Sequence, residues 1–171
     1  YFQPSINFDW IKIKELLNVV LGVADYQEIS YQEVLESSSE KDLDEDLRFS
    51  MGSQELNPGR FIIKDYPADK AVLARLDQNN KDIARRFEFI VDGLELANGY
   101  FELNDWSEHV ARFASDNRVR EARDLPTIDI DERFLNSIRL GLPDCAGVAL
   151  GFDRLLMLKM GESDIGAVQL F

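Results

Sequence analysis

The chain is poor in the side chains that most often build metal centres and covalent cross-links: it has one cysteine, Cys145, and one histidine, His109. A single thiol forms no internal disulfide, so a disulfide-stapled fold is excluded, and this usage fits a reducing cytoplasm. The default place for such a cysteine is a small packing position. One histidine excludes a multi-histidine metal site. It neighbours the apolar stripe of a predicted helix and is expected at the surface or boundary. No run is long and apolar enough for a membrane span or a signal h-region. Basic residues are outnumbered, 19 against 32 acids, for a net charge of −13. That balance argues against a broad nucleic-acid or anionic-membrane surface, although a local basic site remains open. What is present is ordinary for a globular protein: 45% hydrophobic residues in 171 positions, enough for one domain with a substantial core.

The most informative stretch is residues 87–102, FEFIVDGLELANGYFE. Two partly alternating apolar runs flank Asp92-Gly93, a dipeptide suited to a two-residue type I′ turn, so the stretch reads as a β-hairpin. That turn sets Val91 opposite Leu94, Ile90 opposite Glu95, Phe89 opposite Leu96 and Glu88 opposite Ala97. Glu88 and Glu95 then share one face, and Phe87, Phe89, Val91, Leu94 and Leu96 fill the other. Like charges so placed repel unless a proton or cation intervenes. The pair suits either a solvated sheet face or a hard divalent ion such as Mg²⁺ carrying a nucleotide. Plain alternation points Glu102 the other way. A one-residue bulge near Asn98-Gly99, where glycine interrupts the strand, would return it to the face of Glu95.

Around the hairpin, helical and extended signals alternate. Asp9 can cap a helix to Leu21, stopped by Gly22, with Trp10, Ile13, Leu17, Val20 and Leu21 inward. Ser30 and Glu33 form a capping-box pattern for a short helix ending before Ser37. Residues 36–58 are polar, acidic and serine-rich, and read as a flexible loop with one helical turn around 43–49. A strand at 60–64 ends at Tyr66-Pro67, and 68–76 suits a short helix. Asp105 and Glu108 suggest a second capping box, for a helix to Arg123 with Trp106, Val110, Phe113 and Ala114 inward. Asp129 and Glu132 suggest a third start, with Phe134, Leu135 and Ile138 inward and Gly141 and Pro143 at the end. Together these predict an α+β protein with a mainly antiparallel sheet flanked by helices.

A second informative stretch is residues 145–160, CAGVALGFDRLLMLKM. A short strand at 147–150 runs through Gly151 into a helix from Phe152. Ala146, Gly147, Ala149 and Gly151 are small enough to let a ligand approach the backbone. Asp153 suits the helix start, whereas Arg154 in the first turn opposes the dipole preference. It points either to a bound phosphate or to an ion pair with a nearby acid.

These stretches together resemble the class II aminoacyl-tRNA synthetases of the lysine group. RFEFIVDGLELANGYFELND at 86–105 looks like that group's hairpin, GVALGFDRLLML at 147–158 like its third class-defining motif, and YPADKAVLA at 66–74 like the segment before the hairpin. Residues 118–151 are still more similar to the paralogs that attach (R)-β-lysine to elongation factor P. The resemblance implies ATP and Mg²⁺ as cofactors, with Glu88 and Glu95 as metal ligands. Asn98 would stand at the nucleotide and metal site, and Arg154 would pack on adenine and act on the terminal phosphate as the catalytic arginine. It implies that Glu102 binds the ammonium of lysine or β-lysine, with Gly147, Ala149 and Gly151 beside that substrate. Ala149 stands where lysyl-tRNA synthetases usually carry glycine and these paralogs carry alanine.

The implied reaction is adenylate formation followed by acyl transfer, with elongation factor P as acceptor and tRNA less favoured on charge. Arg85-Arg86 and residues 118–123 are candidate basic patches for an acidic partner. Family members are homodimers, but the first motif, which builds that interface, is not recognisable, and neither is the second. PSINFDW at 4–10 is a weak match to a second-motif strand. Residues 1–3 read as a tag remnant and 4–171 as a partial, truncated synthetase-like catalytic domain. Two alternatives stand beside the ligase: a piece of a lysyl-tRNA synthetase, and a degenerate module that binds without turnover.

Overall fold

The computed structural model describes residues 10–169. The expected cap Asp9, the tag remnant, most of the 4–10 stretch and the last two residues lie outside them.

The core is organised by one five-stranded sheet. Its strands are β1 (Gln27–Ser30), β2 (Arg60–Lys64), β5 (Arg86–Val91), β6 (Leu94–Phe101) and β7 (Ala146–Leu150), hydrogen-bonded in the order β1-β2-β5-β6-β7. Only β1 and β2 pair in parallel; β2–β5, β5–β6 and β6–β7 are antiparallel. A separate two-stranded ribbon joins β3 (Tyr66–Pro67) to β4 (Ile83–Ala84). The protein is thus a mixed α+β fold built on a mostly antiparallel sheet, as the sequence predicts. β1 and β4 are strands that pattern reading misses: QEIS carries one apolar residue and no alternation, and β4 is only two residues long.

The two sheet faces are buried by different helices. On one, Ile62, Phe87, Phe89, Val91, Leu96 and Ala97 pack with Leu17 of α1 (Ile11–Leu21) and Leu155 of α6 (Phe152–Met160). On the other, Ile63, Ile90 and Tyr66 pack with Tyr31, Val34 and Leu35 of α2 (Tyr31–Ser37). Ile62 and Ile63 are adjacent yet belong to opposite cores, the period-two consequence of the pleat. Full burial of each such side chain contributes roughly 1.5–3 kcal/mol. The Ser30 hydroxyl and the Glu33 carboxylate close the predicted capping box on α2.

Six local expectations are corrected. The acidic stretch holds more than one turn: α3 (Glu45–Gln54) is a ten-residue helix. Tyr31 stacks on its Phe49 with ring centroids 4.4 Å apart, and that contact holds a segment whose composition looked unable to fold. The predicted helix at 68–76 is a single 3₁₀ turn, Ala68–Lys70, after which the chain turns through Val72 at φ 51°.

At α4 (Trp106–Ala122), Asp105 accepts from the Glu108 amide, but the reciprocal half of the box is missing because the Glu108 carboxylate pairs with Arg112. His109 is not at the surface: it is 2% exposed, packed edgewise on Phe134, and hydrogen-bonded through Nε2 to Leu103 O at 2.8 Å, while Trp106 faces outward. Finally, Asp131, not Asp129, caps α5 (Glu132–Arg139).

Candidate active site

Asp92 and Gly93 have φ of 48° and 75°, the two positive values of a type I′ turn, so the hairpin forms where predicted. Val91 pairs with Leu94 and Ile90 with Glu95, but Phe89 then pairs with Ala97, Glu88 with Asn98 and Phe87 with Gly99. Leu96 is therefore the extra residue, and the bulge sits three positions before Gly99, correcting both its expected place and the two pairings beyond Ile90. The glycine has a packing reason instead: a Cβ at Gly99 would overlap the Phe87 ring. The consequence of the bulge is the one anticipated. It shifts parity so that Glu88, Glu95, Asn98, Tyr100 and Glu102 share a face. β7 joins them, with Ala149 opposite Asn98 and Gly147 opposite Tyr100.

At one end of this face the charges are already paired. Arg86 Nη2 donates to Glu88 Oε1 at 2.5 Å, and Asn98 Nδ2 donates to the same oxygen at 3.0 Å. Arg86 is locked: Nη1 donates to Lys70 O at 2.9 Å, and its guanidinium lies 4.3 Å from the Tyr66 ring centroid. Arg86 is thus an internal counter-ion rather than part of a docking patch, which corrects that expectation. Burial pushes the Glu88 carboxyl above the ordinary carboxylate range; Arg86 pulls it back, and the charge of Glu95 adds to the rise. The same burial pushes the Tyr66 phenol far up. Sequence reasoning missed Arg86 and Tyr66 here, although alternation alone puts Arg86 on the face of Glu88.

Glu95 is more open. Arg154 reaches back from the first turn of α6 to donate to Glu95 O at 2.8 Å, and its Nη1 lies 3.8 Å from Glu95 Oε2. Arg154 thus has the acidic neighbour that the ion-pair reading expects, and its side chain remains 45% exposed. Gly151 follows β7 directly, and a Cβ there would meet the Arg154 side chain. It precedes α6 as its cap and donates its amide to Leu96 O at 2.8 Å.

At the other end, Glu102 has no comparable partner. Among the described residues no hydrogen bond or ion pair engages its carboxylate. Burial raises its pKa, opposed by the charge of His109. The carboxylate lies over the backbone of Gly147, where a Cβ would collide with it. Glycine at this position is required by that close approach, not by its own backbone angles.

Oxygen donors suit a hard cation at the first end. No group of three or more His, Cys, Asp or Glu among the described residues could hold a metal unaided. Glu88 Oε2 and the Glu95 carboxylate are nevertheless supplemented by Asn98 Oδ1, a buried acceptor with no hydrogen-bond partner among the described residues. Few protein ligands and room for phosphate oxygens and water is the coordination Mg²⁺ favours, so these residues fit the ion.

The chain matches the family of tRNA synthetases class II (D, K and N) over residues 10–171. It belongs to that family. Within this class II synthetase family it is related to proteins described as elongation factor P–(R)-β-lysine ligase. The one from Avibacterium paragallinarum is 43% identical over 141 residues, which are 80% of this chain and 44% of that protein. Those from Histophilus somni strain 2336 and Pasteurella multocida strain Pm70 are 47% and 40% identical, with 33% and 44% of their lengths covered. The chain thus spans less than half the length of these relatives. Among the described residues no helix is long and apolar enough to cross a membrane.

Proposed function

We propose that this chain carries the metal–nucleotide and amine-binding part of an ATP-dependent amino-acid-activating ligase, with lysine or β-lysine as substrate and elongation factor P as acyl acceptor. The observation that carries this reading is the Leu96 bulge, which gathers Glu88, Glu95, Asn98 and Glu102 on one face beside the small residues of β7. Glu88 and Glu95 would hold Mg²⁺, with Asn98 Oδ1 beside them. ATP supplies a phosphoanhydride whose α-phosphate accepts the amino-acid carboxylate as pyrophosphate leaves.

The side chains position and neutralise charge; none has to move a proton. Arg154 turns from Glu95 to a phosphate. Glu102 takes the substrate ammonium, and a carboxylate with no ion-pair partner among the described residues makes the site selective for an amine. Ala149 adds one methyl beside that substrate, able to tilt the choice between α- and β-lysine by a modest factor. The net charge of −13 weighs against tRNA as acceptor.

Calorimetry of ATP with and without Mg²⁺, then with lysine or β-lysine, tests this directly. Metal-dependent binding that an amine strengthens is the expected result. A folded sample that binds ATP without regard to Mg²⁺, or binds neither ligand, would leave a synthetase-like fold without this chemistry.

A further inference from the structure

Glu102 is held by its backbone from two sides. Its amide donates to Cys145 O at 3.0 Å, and its carbonyl accepts from Arg75 Nε at 2.7 Å. Arg75 in turn donates through Nη2 to Asp144 Oδ1 at 2.6 Å, and its guanidinium lies 4.6 Å from the ring centroid of Phe101, the residue before Glu102. The same Asp144 oxygen accepts from Asn104 Nδ2 at 3.2 Å, and that amide also reaches Leu142 O at 3.2 Å. The loop entering β7 is therefore tied to both sides of Glu102 through one carboxylate. Asp144 is 63% exposed, and an ion pair so open contributes little to folding. Its geometric effect is larger, because it points the planar guanidinium fork at the Glu102 carbonyl.

We propose that Asp144 is a positioning residue for amine recognition: acting through Arg75, it sets Glu102 over Gly147. This rests on the reading of Glu102 as the ammonium acceptor. Two consequences of losing Asp144 act in the same direction. Arg75 no longer holds the Glu102 backbone in register with β7. Its cation, released beside a carboxylate that has no partner among the described residues, also competes with the substrate ammonium.

The test is titration of L-lysine, and separately of Mg²⁺-ATP, into the wild-type chain, Asp144→Ala and Asp144→Asn, together with hydrogen exchange at the Glu102 amide. Asp144→Ala should weaken lysine about tenfold, the scale of losing a supporting charged hydrogen bond, and leave Mg²⁺-ATP within about twofold. Asp144→Asn keeps an acceptor oxygen for Arg75 and should recover most of the loss. The Glu102 amide should exchange faster in Asp144→Ala alone. Equal lysine affinity in wild type and Asp144→Ala, or unchanged exchange, overturns the proposal and leaves the reading of Glu102 intact. No lysine binding by the wild type overturns both.

Discussion

Glu88 and Glu102 lie on the same face of the same hairpin, and burial raises the pKa of both. They differ in what answers that burial. Glu88 has Arg86 and Asn98 on one oxygen; the Glu102 carboxylate has no hydrogen-bonded partner among the described residues and sits against a bare glycine backbone. A buried carboxylate with an internal cation is a settled part of the fold. A carboxylate left without a cation is a demand that a ligand can satisfy. The pairing pattern, more than the burial, separates the proposed metal-site carboxylate from the proposed ammonium acceptor.

The sharpest way to break this contrast is to remove the internal cation. Arg86→Met leaves Glu88 charged and unpaired in the core, and should cost about 3–5 kcal/mol at neutral pH by denaturant unfolding. The loss should shrink at acid pH, where Glu88 is protonated. An equal loss at both pH values would show that Arg86 acts by packing on Tyr66 alone. Next in size is Glu95→Ala. It should abolish Mg²⁺-dependent ATP binding with little change in melting temperature, because Glu95 is open to solvent and its removal relieves repulsion on Glu88; unchanged nucleotide affinity would remove Glu95 from the metal site.

Gly147→Ala comes third. Its methyl displaces the Glu102 carboxylate, and about a tenfold loss of lysine affinity is expected with ATP affinity intact. An unaffected lysine titration would mean that the carboxylate can bind from elsewhere.

The smallest effect is one of pH. A raised Glu102 pKa means that the folded state holds this proton more tightly than the unfolded one. The associated stability is present below the ordinary value of 4.5 and is lost as pH rises through the folded value. Glu102→Gln should therefore be the more stable form at neutral pH without ligand, and the difference should fade toward pH 4. Lysine affinity should run the other way in the wild type, rising as the carboxylate ionises. A pH-independent difference between the two proteins would contradict the assignment.

Much of this was legible in the chain itself where the signal is local. Asp92-Gly93 specifies the turn because both positions need positive φ. Ser30 and Glu33 specify a helix start because their side chains reach only their own backbone. The face shared by Glu88 and Glu95 follows from counting outward from that turn. The position of the bulge was not legible, because Asn98-Gly99 carries the usual glycine cue while the real cause of Gly99 is the Phe87 ring across the sheet. Nor was α3, whose acidic sequence folds because Phe49 finds Tyr31 and Tyr66. His109 was misplaced for the same reason: the partners that bury it, Leu103 O and Phe134, come from outside its own helix.

By itself, then, the sequence determined the turn, most strands and helix starts, and the carboxylates of the hairpin, since each depends on backbone preferences and spacing within a few residues. Which charges would be neutralised was decided by tertiary structure alone. Arg86 meets Glu88 under the Tyr66 ring, Arg75 meets Asp144 across 69 residues of chain, and the Glu102 carboxylate meets no hydrogen-bond or ion-pair partner among the described residues. Charge pairing depends on distance and burial in space, and neither is written in the order of the residues.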